Sequence, residues 1–199
     1  MRQYEGYDPA ARDDRKLCEA VWKLLDEADI VIGQNSIAFD EKKLNLRFLF
    51  HRLGSPSPYQ SFDILRNSRS KFAYPSHKLD DRAEYHGIEG KLSHTGKHLW
   101  FGCMAGNVKD WALMEKYNKR DIEITRKLYD LEGPWSTNHP NINIISRKMG
   151  ACPFCGSSNL LAEGYRHTLT SEYQRFSCKD CGKWSRGKPE PLARKVQIR

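Results

Sequence analysis

DIVIGQNSIAFDEKKLNLRFLFHRL, residues 29 to 53, is the stretch on which the fold turns. Asp29 to Ile32 has the short apolar run of a buried strand, and Gly33-Gln34-Asn35 has the composition of a turn. A helix follows with Asp40 on its first turn, with Leu44, Phe48 and Leu49 as its apolar positions. It runs to Leu53-Gly54, where glycine is the expected stop. Strand, turn and helix together make one unit of an α/β protein. A carboxylate at the handover from strand to helix can face a crevice above a sheet edge, so Asp40 is the first candidate for chemistry.

Working outward, residues 1–12 read as an irregular lead-in. The spacing of Leu17, Val21, Leu24 and Leu25 predicts an amphipathic helix from Asp14 to Ala28, capped by Asp13 or Asp14. On the other side, SPSPY is a loop, and Ser61 to Asp63 reads as a second short strand that then turns helical. HKLDDRAEYHG predicts a short helix stopped at Gly87, with Leu79 and Ala83 facing inward. Residues 88–106, with four glycines and two histidines, read as a long surface loop with one helical turn near Leu99 to Met104. An apolar period from Val108 to Leu131 predicts the longest helix, closed by Gly133-Pro134. This gives a first domain over residues 1–133, a linker over 134–150, a small cysteine-bearing domain over 151–187 and a basic, disordered tail over 188–199.

At 199 residues the chain has room for one ordinary domain and a small appendage. No stretch has the apolar length of a membrane span, and the N-terminus lacks the apolar core of a signal peptide, so the expected location is cytoplasmic. The net charge of +8 favours an anionic partner. Residues 151–199 hold nine Lys/Arg against four Asp/Glu, which places +5 of that charge in the last quarter of the chain.

Four of the six cysteines form two knuckles, Cys152-Pro-Phe-Cys155-Gly and Cys178-Lys-Asp-Cys181-Gly. Four thiolates at this spacing make a closed tetrahedral site, so the expected cofactor is a structural Zn²⁺. Leu160 to Thr168 and Glu172 to Ser177 between the knuckles have strand composition, giving a small β zinc ribbon. Arg166, Arg175, Lys183 and Arg186 interleave with aromatics, a pattern suited to phosphate contact and base stacking. Packing in the ribbon's core is the expectation for Phe176 and Trp184. Cys18 and Cys103 read as plain buried thiols.

Asp121 lies four residues after Tyr117 in EKYNKRDIEITRKLYD, so the two share a helix face. Taken singly, Asp121 reads as a solvated charge and Asp40 as an acidic residue favoured by the helix dipole. In combination, Asn35-x-x-x-Phe39-Asp40 after a strand and Tyr117-x-x-x-Asp121 in a late helix resemble two of the three motifs of the DnaQ-like 3′–5′ exonucleases, members of the ribonuclease H-like superfamily. The turn, the KLSH segment from Lys91 to His94 and the C-terminal ribbon are similar to the phage-type, YprB-like branch, and the likeness covers nearly the whole chain.

The resemblance implies a ribonuclease H-like α/β fold and a two-metal phosphodiesterase site, with Mg²⁺ or Mn²⁺ ions about 3.5–4 Å apart. It implies that Asp40 and Asp121 are metal ligands and that Tyr117 orients the attacking water. Asn35 and Phe39 would lie beside the substrate strand or support the turn, with Phe39 equally readable as a core residue. His94 and His98 of the loop read first as exposed side chains, but they could contact the strand's phosphates, as could Lys91 and Lys97. It further implies single-stranded DNA, ahead of RNA, as the substrate and a phage-encoded protein in the host cytoplasm. One motif of the pattern is missing: the Asp-x-Glu of the first strand. Asp121-Ile122-Glu123 does not replace it, because Glu123 points away from the face of Asp121. The expectation is therefore a partial fold with its first strands missing, completed by a separate chain. The alternative is a non-catalytic nucleic-acid-binding module.

Overall fold

The computed structural model describes residues 13–89 and 96–191, and divides at Glu132/Gly133 into two compact units. The first contains α1 (Arg15–Glu27), β1 (Ile30–Gly33), α2 (Asp40–Phe50), β2 (Gln60–Asp63), α3 (Ile64–Lys71), α4 (Leu79–Tyr85), α5 (Lys97–Met104) and α6 (Val108–Glu132). β1 and β2 pair in parallel, from Ile30 opposite Gln60 to Gly33 opposite Asp63. Parallel neighbours need a crossover, and α2 provides it. Because side chains alternate along a strand, Val31 and Ser61 share one face of the pair and Ile32 and Phe62 the other. Val31 packs with Cys18, Leu25 and Phe48 from α1 and α2. Phe62 packs with Ile64, Ala83, Ile124 and Leu128 from α3, α4 and α6. Helices thus cover both faces, and the mixed α/β class holds. No helix among the described residues is long and apolar enough to cross a membrane.

Two local readings change. The segment 88–106 carries a two-turn helix, α5, in place of a loop with a single turn. Leu99 and Cys103, four residues apart, are buried against Met114, with Tyr117 packed on the same cluster. Gly102 reads as a loop signal in sequence but serves close packing. A Cβ there would collide with the Asp110 carboxylate, so glycine lets α5 and α6 approach with that side chain lying across it. At the start of α1, Asp13 Oδ1 accepts from Arg15 N at 2.9 Å, while the N-cap residue Asp14 makes no side-chain cap bond. The Asp14 carboxylate is committed elsewhere, to Arg47 and His51 of the α2 segment.

The second unit holds a 3-10 turn (Gly133–Trp135), the short helix α7 (Ile142–Ile145) and an antiparallel sheet in the order β3-β4-β5. These strands are Leu160–His167, Ser171–Cys178 and Trp184–Pro191. The stretch read as a linker is structured in part. Asn141 caps α7 by accepting from Asn143 N, Ile142 N donates to Pro153 O at 3.1 Å, and Asn143 Nδ2 donates to Ala151 O. These bonds tie residues 141–143 to the first cysteine knuckle. The stretch read as a disordered tail is also partly regular, since the β5 backbone pairs with β4 as far as Pro191.

Candidate metal centre and nucleic-acid interface

The four cysteine sulfurs of the ribbon lie within 4.8 Å of one another. Cys152 Sγ is 3.6 Å from Cys181 Sγ, and Cys155 Sγ is 3.6 Å from Cys178 Sγ. A tetrahedron with metal–sulfur bonds of about 2.3 Å has edges of about 3.8 Å, so the cluster has the dimensions of a Zn²⁺ site. The knuckles are shaped by glycine: Gly156 and Gly182 have φ of +73° and +72°, and their N–H groups donate to the Cys152 and Cys178 carbonyls at 2.9 Å. Burial disfavours a thiolate at Cys178, but backbone N–H groups of Cys181 and Asp180 outweigh it and bring the pKa down to about 7. Ser157 and Asn159 after the first knuckle donate to Asp180 in the second, which fastens the two together. The donor set and its spacing fit a structural zinc, with no position left open for a substrate.

The second candidate site lies at the carboxyl ends of β1 and β2, the usual place for a ligand on a parallel sheet. Gly33 ends β1 because a Cβ there would come within 2.5 Å of Ser36 Cβ. Asn35 then takes φ +60°, a left-handed conformation that asparagine tolerates well. Asp63 fixes this turn and starts α3, its Oδ1 accepting from Asn35 N and Leu65 N at 2.9 Å and from Arg66 N at 3.4 Å. The other oxygen of Asp63, Oδ2, is buried with no hydrogen-bond partner among the described residues. Glu41 is engaged by Ser36 and Ser61. Asp40 stands exposed at the head of α2. Partial burial pushes its pKa up, with the fields of Asp63 and Glu41 adding to it and a backbone hydrogen bond opposing it.

Asp121 occupies a telling position on α6. Met114, Ile124 and Leu128 are buried, and Tyr117 and Asp121 complete the stripe at alternating spacings of three and four. Asp121 is half-buried on the inward seam, between the cluster of Leu99, Cys103 and Met114 and the cluster of Phe62, Ala83 and Ile124. Asp121 is thus placed on the packed side of α6 and not on its fully exposed face. Glu123 is exposed and forms an ion pair with Arg120. Phe39 is 53 % exposed, with the Lys43 ammonium 4.8 Å from its ring centroid, so it is no core residue. Lys91 and His94 lie outside the described residues. Lys97 and His98 are exposed at the start of α5.

Carboxylates are the right donors for a hard divalent cation. In number they fall short: among the described residues no third His, Cys, Asp or Glu closes around Asp40 or Asp121 to form a cluster of three ligand atoms. A complete two-metal centre is not present in these residues.

What sequence reasoning missed is the scaffold behind the turn. Arg82, fully buried on α4, donates to Glu132 Oε2 at 2.8 Å and Oε1 at 3.1 Å, and to Gln34 Oε1 at 2.5 Å. The Tyr74 hydroxyl donates to the same Glu132 carboxylate at 3.3 Å, and burial with Glu132 nearby pushes the Tyr74 pKa up to about 12. The Asp63 cap had a legible signal, an Asp immediately before an apolar helix start. The buried ion pair had none.

The predicted basic residues of the ribbon do converge. Arg166, Arg175, Lys183 and Arg186 line one cleft of about 600 Å³, together with Trp184, His139 and Phe154. Lys183 donates its ammonium to the Ser136 carbonyl. Trp184 is 50 % exposed and lines this cleft, so it does not serve the ribbon's core. No family model matches this chain, and neither does any curated protein or solved structure.

Proposed function

We propose that the chain is a metal-dependent 3′–5′ exonuclease of the DnaQ-like, ribonuclease H-like type, or the C-terminal part of a split one, hydrolysing phosphodiester bonds at nucleic-acid ends. The observation that carries this reading is the placement of the two motif carboxylates. Asp40 stands at the carboxyl end of a parallel strand pair in the field of Asp63, and Asp121 interrupts the buried seam of the longest helix. An acidic residue on the inward seam of a helix departs from the local apolar pattern, and such departures are expected at working sites.

In this reading Asp40 and Asp121 hold Mg²⁺ or Mn²⁺, with further carboxylates from the Asp-x-Glu strand that the described residues do not include. The cation, when bound, makes a nucleophile of water and relieves charge on the leaving oxygen. Tyr117 orients that water. The exposed ring of Phe39 offers a surface for the terminal base, and Asn35 supports the turn that presents it. Zn²⁺ in the ribbon is structural.

The test is degradation of a 5′-labelled single-stranded DNA by the full chain with Mn²⁺. Shortening from the 3′ end, lost by about two orders of magnitude or more in both Asp40→Asn and Asp121→Asn, is the expected result. Cleavage only after addition of a polypeptide bearing an Asp-x-Glu strand assigns the split form. Cleavage that survives both substitutions sinks the reading. The second reading, a non-catalytic nucleic-acid-binding module, is favoured by the basic cleft of the ribbon and would stand if strands are bound but never shortened under either condition.

A further inference from the structure

The ribbon sheet carries a face whose chemistry the zinc site does not require. Arg166 of β3 is opposite Tyr173 of β4, while Arg175 and Ser177 of β4 are opposite Arg186 and Trp184 of β5. Directly opposed residues share a face of a sheet, so three arginines and two aromatic rings stand together on one side. The Arg175 guanidinium lies 5.2 Å from the Trp184 ring centroid, and that of Arg186 lies 4.6 Å from the Tyr173 ring centroid. Two arginines directly across a strand pair repel each other, a destabilising arrangement unless an anion comes between them. Among the described residues no carboxylate lines the cleft, and the Arg166 side chain has no hydrogen bond or ion pair.

We propose that this face is a nucleotide-binding cleft, which holds a phosphate of a single strand among Arg166, Arg175 and Arg186 and stacks a base on Trp184. The inference rests on the nucleic-acid reading above but uses none of its carboxylates. A guanidinium stacked on a ring keeps in-plane N–H groups for a phosphate, which lysine at the same position could not match; in Arg175, whose Nε donates to the Glu163 carbonyl at 3.3 Å, these are the terminal nitrogens. Trp184 stays half exposed even with Arg175 beside it. A cleft of about 600 Å³ lies inside the range of about 300–1,000 Å³ typical of small-ligand sites, roomy enough for a base with its phosphate where a bare anion would leave it largely empty. An acidic peptide would satisfy the arginines and leave the rings unused.

The test uses the full, zinc-loaded chain with Asp40→Asn to prevent cleavage, no Mg²⁺ or Mn²⁺, and a fluorescein-labelled oligodeoxythymidine. Arg166→Ala with Arg186→Ala is expected to weaken binding at least about tenfold and to make the log K against log salt slope shallower by about 0.7 for each phosphate no longer neutralised. Trp184→Phe, which keeps a ring for packing, removes the tryptophan quenching seen on binding. Unchanged zinc content shows that these variants retain their fold. Wild-type affinity in the double arginine variant overturns the cleft, and equal competition by polyglutamate overturns the stacked base. Binding through this face, with no shortening by the unsubstituted chain either alone or with the added Asp-x-Glu polypeptide, keeps the cleft and removes the exonuclease reading. A chain that cleaves while the cleft variants bind normally does the reverse.

Discussion

Arg82 shows how much one buried residue can hold. Its side chain and that of Glu132 are 0 % and 1 % exposed, 50 positions apart in sequence, and Gln34 of the β1–α2 turn hangs on the same guanidinium. Burial disfavours charge on both partners, pushing Glu132 up and Arg82 down, and their mutual attraction opposes it. Removing one partner strands the other. Arg82→Met is expected to destabilise the first unit by about 3–5 kcal/mol, read from urea unfolding followed by helical circular dichroism. Adding Glu132→Leu should recover a substantial part of that loss, since an apolar pair has no charge to desolvate. An unimproved double variant would show that shape, and not charge, is what the pair supplies. Neither residue could be singled out from sequence, because an Arg and a Glu on amphipathic helices ordinarily face water.

Elements were more legible, and their contacts less so. The apolar periods of α1, α2 and α6 are local properties, and the helices lie where those periods run. How α1 docks on α2 is not local. Arg47 donates to both oxygens of Asp14, and His51 Nε2 lies 2.7 Å from Oδ1. The hydrogen bond from Arg47, against some burial, with His51 adding to it, holds the Asp14 carboxyl well below the usual carboxylate range. A lowered folded pKa means that the stabilisation is complete above the unfolded value of about 3.9 and is lost as pH falls toward the folded one. Asp14 is 24 % exposed and partly screened, so Asp14→Asn should cost about 1–2 kcal/mol at pH 6. By pH 3 the gap between variant and wild type should narrow, measured by urea titration at the two pH values. A constant gap would mean that packing, and not the ionised carboxylate, joins the helices.

At the scale of the whole molecule, the division at Glu132/Gly133 separates a helix-covered α/β unit from a ribbon built around four thiols. In the described part of the second unit, the sheet surrounds few large buried side chains, Phe154 among them, so metal must supply much of its folding energy. Stripping zinc with a chelator should therefore abolish the dispersed amide signals of β3, β4 and β5 while those of α1 to α4 and α6 persist. Restoring Zn²⁺ should return them, and Cys181→Ser should mimic the stripped state. A ribbon spectrum untouched by chelation would show that the thiols are not holding a metal.

The amino-acid sequence alone determined the strand–turn–helix of residues 29–53, the long helix ending at Gly133, the knuckles with their glycines and the basic character of the ribbon. Each is a matter of composition or period within a few residues, where local backbone preference and side-chain spacing act directly. Only the tertiary structure decided that Asp121 sits on a buried seam, that Asp63 braces the turn before Asp40, and that Arg166, Arg175 and Arg186 share one face with Trp184. Those facts depend on strand register and helix packing, which bring together residues that no local pattern connects.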